Sequence, residues 1–359
     1  MGRLDSILDQ LQGEEILSDQ DIGFLLSRSD QESMDKIFSA ARKKRAQYFG
    51  DKIYMYGFVY FSTYCQNNCS FCYFRKENDK PPRYRKSVDQ IVCTARELAN
   101  SGVGLIDLTT GDDPYYTRHP ERLAEIIRRV RKETGLAIMC SPGVLDQQGI
   151  DLIAAAGADW YALYQETHNR SLYDRLRLDQ SYDQRIDAKR YAASRGLLLE
   201  EGLLVGVGDT IEDRVVSFHQ MKKLGTSQVR TMTFVPQDGA PLSGENLNGS
   251  KRELMTIAVM RLLFPDELIP ASLDVEGLDG LYDRLQAGAN VVTSIIPPRE
   301  GYAGVANSVQ DIDEGYRTVK GIQATLGRCG LSPASAREYR DWLDDRKRKI
   351  QDQRMKEEV

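Results

Sequence analysis

From about residue 53 to residue 325 the chain alternates short β-rich runs with longer helical stretches, and no other feature of the sequence restricts the fold as much. Eight runs read as strands: 53–63 (IYMYGFVYFST), 103–110, 135–141, 160–166, 197–208, 228–236, 268–275 and 290–296. Helix punctuation stands between them. Ser181 followed by Gln184 forms a capping box closed by Gly196, and Ser250 followed by Glu253 forms another, with Pro265 ending the run. Eight strand–helix units in roughly 270 residues predict an α/β fold, a (β/α)8 TIM-type barrel, complete or slightly opened. A doubly wound dinucleotide-binding sheet would place G-x-G-x-x-G after its first strand, and none follows 53–63.

The flanks read differently. Residues 1–52 form polar helices that cap the bottom or side of the barrel at 53–328, and 329–359 is a charged helical tail that frays into solvent. A net charge of −5 argues against nucleic acid as a partner. The most apolar stretch, Leu197 to Val207, is interrupted by Glu200 and Glu201 and is too short to span a membrane. The first residues lack a cationic segment followed by a long apolar one, which predicts a cytoplasmic protein.

Six cysteines in 359 residues are too sparse for a disulfide framework, yet Cys65, Cys69 and Cys72 stand C-x3-C-x2-C in the loop after the first strand. In a barrel that loop lies on the C-terminal rim, where active sites are built. Structural zinc wants four closed ligands, and the nearest histidine, His119, is far from finger spacing. An electron-transfer [4Fe-4S] cluster also uses four thiolates, so three leave one iron open to a chelating small molecule. The scattered Cys93, Cys140 and Cys329 read as small core residues.

With Phe71 directly before Cys72, the motif resembles the signature of the radical S-adenosylmethionine enzymes. That resemblance implies a [4Fe-4S] cluster on Cys65, Cys69 and Cys72 whose open iron chelates the methionyl amine and carboxylate of S-adenosyl-L-methionine. Reductive cleavage then yields a 5′-deoxyadenosyl radical, and a low-potential donor such as ferredoxin or flavodoxin supplies the electron. TTGDDPYY (109–116) resembles the family's segment that meets the methionyl amine, implying roles for Gly111 and for Asp112 or Asp113. YQETHNRSLYDRLR (164–177) and GLLVGVGDT (202–210) resemble the biotin synthase and hydrogenase-maturase branch. The resemblance implies that Glu166 binds the ribose, Arg185 and Ser141 the methionyl end, and Gly202 and Val205 the cofactor.

Other strand ends carry charge that an apolar core would exclude: Asp107, Arg230, and the Ser272/Asp274 pair two residues apart on one strand face. An internal salt bridge such as Arg230 with Asp107 is one explanation. One guanidinium with two carboxylates also suits a zwitterion bearing an extra amine. These segments closely resemble the branch of the family that rearranges the carbon skeleton of L-lysine, which implies that Asp107, Arg230, Ser272 and Asp274 anchor substrate. The alternatives are a biotin synthase-like or hydrogenase maturase-like enzyme, or an iron–sulfur electron carrier or redox sensor.

Overall fold

A computed structural model of the chain describes residues 2–12, 16–244, 250–297 and 316–357. Eight parallel strands form an almost closed barrel: β1 (Lys52–Ser62), β2 (Leu105–Thr110), β3 (Ala137–Ser141), β4 (Trp160–Ala162), β5 (Leu198–Val205), β6 (Gln228–Thr233), β7 (Pro270–Ser272) and β8 (Val291–Ile295). Their order is β6-β5-β4-β3-β2-β1-β8-β7. Only a bridge between Gln228 and Leu268 joins β6 to β7, so this seam is closed at the bottom of the barrel. Residues 298–315, inside the stretch the sequence assigns to the barrel, lie outside the described residues.

Alternation along β1 divides its two faces. Tyr54, Tyr56, Phe58 and Tyr60 point into the barrel, while Ile53, Met55, Val59 and Phe61 join the layer between strands and helices. At Gly57 an added Cβ would lie 3.0 Å from Leu98, so glycine lets the helix Val88–Ser101 pack close to the strand. β4 and β7 are shorter than their apolar runs because the chain leaves the ladder early, turning Tyr164, Glu166 and Asp274 toward a central cavity.

The lower barrel is filled by Tyr54, Tyr56, Leu105, Met139, Trp160 and Leu198. Below them lies the C-terminal helix Ala336–Glu357, which does not fray into solvent as its charge suggests. Tyr339 and Leu343 are buried, Trp342 stacks on Trp160 at 6.0 Å, and the Tyr339 and Tyr56 hydroxyls meet at 3.1 Å. Charges beside this stripe also have partners, Arg346 with Asp266 and Glu267, and Lys347 with Asp159. A short strand, β9 (Ser332–Pro333), pairs with the start of β1 and leads the chain into this plug. The helices Asp19–Leu26 and Gln31–Phe49 cover the barrel's side, where Arg45 reaches the carbonyls of Leu285 and Ala289.

One predicted cap is rewired. Ser181 caps the helix Tyr182–Ser194 as its sequence suggests. Glu253 instead turns inward, accepting from Thr233 and pairing bidentately with buried Arg284, because a carboxylate among buried donors binds more strongly there than at a solvated helix end.

Candidate active site

The loop after β1 brings Cys65, Cys69 and Cys72 to one wall of a cavity of about 250 Å³ at the top of the barrel. Ser70 donates to the carbonyl of Leu176 on a neighbouring helix, Lys76 N–H to that of Asn67, and Arg83 to four carbonyls of the same loop, so the loop's shape is fixed by backbone carbonyls of its own and of that helix end. Burial pushes the Cys65 thiol up to about 11; burial and the neighbouring Cys69 and Cys65 hold Cys72 well above the ordinary thiol range. The thiols of Cys65 and Cys72, desolvated and crowded against Cys69, do not ionise together without a cation, so this donor set fits an iron cluster. Among the described residues no three cysteine, histidine or carboxylate side chains are arranged to hold a single metal ion. Cys69 accepts from Gln180 at 3.1 Å and from Arg177 at 3.6 Å, a polar shell of the type that tunes cluster thiolates. Of the other cysteines only Cys140 is fully buried; Cys93 is exposed on its helix, and Cys329, half-buried at a helix end, packs against the edge of the core.

Gly111 and Asp112 follow β2 beside the cluster loop. A Cβ at Gly111 would sit 2.3 Å from the carbonyl oxygen of Tyr64, so only glycine fits. Asp112 accepts from Gln66 at 2.9 Å and Asn67 at 3.0 Å and lines the cavity. Asp113, which the sequence also offers as a cofactor ligand, points away from the cavity. It is fully buried and committed to Arg85 through two hydrogen bonds, to Ser62 at 2.6 Å, and to the N–H of Tyr115. Burial opposes ionisation there, yet these donors hold its carboxyl below the usual range. Opposite Asp112, Gly143 has φ +88° and no room for a Cβ, which would lie 2.7 Å from the Asp112 carboxyl carbon.

Phe71, Ser141, Glu166 and Arg185 line the same cavity, as the sequence suggests. Glu166 has φ 68°, an unusual conformation for a residue other than glycine. Its N–H and carbonyl bridge to Gly202 and Leu204, and Glu201 fixes this turn from behind by accepting from the N–H groups of Gln165 at 2.6 Å and Gly202 at 2.9 Å. Buried Lys189 pairs with Glu201, and burial lowers that ammonium to about 8. Arg177 binds Glu166 at 2.7 Å and lies over Phe71; it stands in YQETHNRSLYDRLR, but an arginine on a predicted helix gives no sequence sign of facing a cavity. Gly202 and Val205 do not line the cavity. Gly202 lets the Tyr164 ring approach, 3.0 Å from where a Cβ would be, and Val205 faces away from its lining neighbour Leu204 because successive strand residues alternate.

Lower in the cavity Asp107, Arg230 and Asp274 come together from β2, β6 and the end of β7. Arg230 pairs with Glu200, not Asp107: its Nε donates to Glu200 at 2.7 Å, and the Tyr164 hydroxyl donates to the other Glu200 oxygen at 2.8 Å. In sequence Glu200 reads only as an interruption of an apolar run. Among the described residues Asp107 keeps only a hydrogen bond from Thr109, and burial, then Glu200, push its carboxyl up to about 7 against the pull of Arg230. Asp274 accepts from Arg317 at 2.7 Å and from Ser294. Ser272 lies behind Asp274, donating to it at 3.3 Å, and does not line the cavity because β7 ends there and its hydroxyl turns back to its neighbour.

Residues 59–221 match the model of the radical SAM superfamily. The chain is 43% identical to the 3-methylornithine synthase of Methanosarcina barkeri over 94% of its own length and 97% of that protein. It is 32% identical to the hydrogenase maturase subunit HydE of Thermotoga maritima, over 74% of this chain and 77% of that one. A crystal structure of methylornithine synthase superposes with a TM-score of 0.89 at 43% identity, covering 94% of this chain and 99% of that one. With three thiols beside a cavity at the top of a parallel barrel and relatives matched along nearly its whole length, the chain belongs to the 3-methylornithine synthase family of radical SAM proteins.

Proposed function

We propose that this chain isomerises L-lysine to 3-methylornithine, with a [4Fe-4S] cluster on Cys65, Cys69 and Cys72 and S-adenosyl-L-methionine against Asp112, Ser141, Glu166 and Arg185. When bound, that pair supplies a radical that removes and returns a substrate hydrogen atom. The observation that carries the reading is a charged layer directly under the thiols, built by Asp107, Arg230 with Glu200, and Asp274 with Arg317. Buried charges this close to an open cavity are expensive unless a ligand completes them.

The protein's part is to hold both ends of the substrate while the carbon chain between them breaks and rejoins. Arg230 takes the α-carboxylate, and Asp107 and Asp274 take the ammonium groups. Phe58 and Tyr60, stacked at 5.9 Å, give that middle an apolar wall with no proton donor of ordinary acidity, since burial holds the Tyr60 phenol far above its usual range. An electron donor such as ferredoxin or flavodoxin would approach the exposed Tyr64, next to Cys65, where Arg85 lies 4.0 Å over the ring.

Calorimetry with the reconstituted holoenzyme tests the site. L-lysine binds the wild type, and Asp107→Asn weakens it at least about tenfold, the value of one charge-assisted contact, while the cluster absorbance stays. Equal affinity in Asp107→Asn would remove that residue from the site.

A further inference from the structure

Glu200 is fully buried in the middle of β5 and does not line the cavity, yet it touches two residues that do. One carboxylate oxygen accepts from Nε of Arg230 at 2.7 Å, the other from the Tyr164 hydroxyl at 2.8 Å. The Arg230 guanidinium also lies 5.5 Å from the Tyr164 ring centre, and its Nη1 is 3.8 Å from the Met232 sulfur. A long side chain that would otherwise sample many rotamers is thus held on three sides, and among the described residues no protein acceptor meets its Nη2. Two tyrosine and arginine donors fill a carboxylate that no substrate atom needs to reach.

We propose that Glu200 is a positioning residue of the substrate site, which clamps Arg230 and Tyr164 so that the remaining guanidinium edge meets the substrate's α-carboxylate, and whose charge tunes the site for a diamino acid. With Asp107 ionised, Asp107, Asp274, Arg230, Arg317 and Glu200 give the inner layer three carboxylates and two guanidiniums, one negative charge in excess. L-lysine, with two ammonium groups and one carboxylate, has one positive charge in excess. An amino acid with an uncharged side chain does not balance the site. Glu200 therefore acts on both ends of the substrate, through Arg230 on the carboxylate and through the field at Asp107 on an ammonium group. The titratable and charged groups around Asp107 are Glu200 on β5, Arg230 on β6, Asp274 after β7, Tyr164 after β4 and Cys140 on β3, with Thr109 on its own strand, and of the charges Glu200 acts on it most strongly.

The inference rests on the lysine reading, and one experiment separates the two. Lysine and lysine amide, which lacks the carboxylate, are titrated into reconstituted wild-type and Glu200→Gln holoenzymes across pH 5.5–8.5, and turnover is followed alongside. The glutamine keeps the shape and loses the charge. L-lysine Kd and KM rise about tenfold in Glu200→Gln while kcat changes less than about threefold, lysine amide binding weakens by clearly less than lysine binding because only its ammonium contacts are affected, and the pH at which lysine affinity is half-maximal moves down. Tyr164→Phe, which removes one hydrogen bond to Glu200, raises KM in the same direction by about threefold. If the wild type neither binds nor turns over L-lysine, the reading fails and the inference with it. If the wild type turns it over and Glu200→Gln binds it equally well, or loses lysine and its amide alike with an unmoved pH profile, only the inference fails. Should Glu200→Gln not fold, an unaffected Tyr164→Phe overturns it.

Discussion

Adjacent aspartates show how much a carboxylate's partners decide. Asp113 is saturated by Arg85, Ser62 and the Tyr115 N–H, whereas Asp112 accepts from two side chains of the cluster loop and borders the cavity. Asp113→Ala strands Arg85, but that side chain is 37% exposed and can reach water, so the expected loss is about 2 kcal/mol, read as a fall in Tm. Asp112→Ala leaves Tm close to wild type and instead weakens S-adenosyl-L-methionine, measured by equilibrium dialysis of the reconstituted protein. Asp107 gives a pH prediction. Its carboxyl, pushed to about 7, must be ionised to hold an ammonium group, so the lysine KM falls as pH rises through about 7 and climbs on the acid side. A flat profile from pH 6 to 8 would show that Asp107 does not bind a cation. Cys93→Ser and Cys329→Ser leave the iron content unchanged, whereas alanine at Cys65, Cys69 or Cys72 abolishes it on metal analysis.

At the level of elements, each predicted run contains a strand, since period-2 burial and helix caps are local signals. The C-terminal helix was not legible in the same way. Its 22 residues are strongly charged, and although the spacing of Tyr339, Trp342 and Leu343 marks an amphipathic helix, only the structure shows that stripe lying beneath Trp160. Trp342→Ala opens that plug and is expected to lower stability by about 3 kcal/mol, seen as a drop in Tm with the lysine KM of the folded fraction unchanged, since the plug lies at the opposite end of the barrel from the thiols. The Glu253 capping box was a correct local pattern that tertiary donors outbid. The cluster cysteines were legible because three ligands must share one loop at fixed spacing. Glu200, Arg177 and Arg317 were not, because what matters is which strand-end neighbour each meets across the barrel, and no local spacing encodes that. Val205 fell outside the cavity lining for a related reason, since a motif run gives the segment but not which face of β5 lines the site, whereas Gly202 shares the inward face of Leu204 and is covered by the Tyr164 ring.

Across the whole molecule, the barrel stacks three layers along one axis: an apolar plug, a layer of paired charges, and the thiols at the rim. The rim matches the radical chemistry of the family, and in the proposed function the charge layer beneath selects what enters. On the proposed reading, the substrate brings two positive ends and one negative one and keeps an uncharged chain between them beside Phe58 and Tyr60. The most direct test supplies uniformly ¹³C-labelled L-lysine, S-adenosyl-L-methionine and a reductant to the anaerobically reconstituted holoenzyme and follows carbon connectivity by NMR. A branched isomer with a new methyl signal, at the mass of lysine, is the predicted result. Unchanged lysine, with 5′-deoxyadenosine released only when a different substrate is offered, would contradict the account.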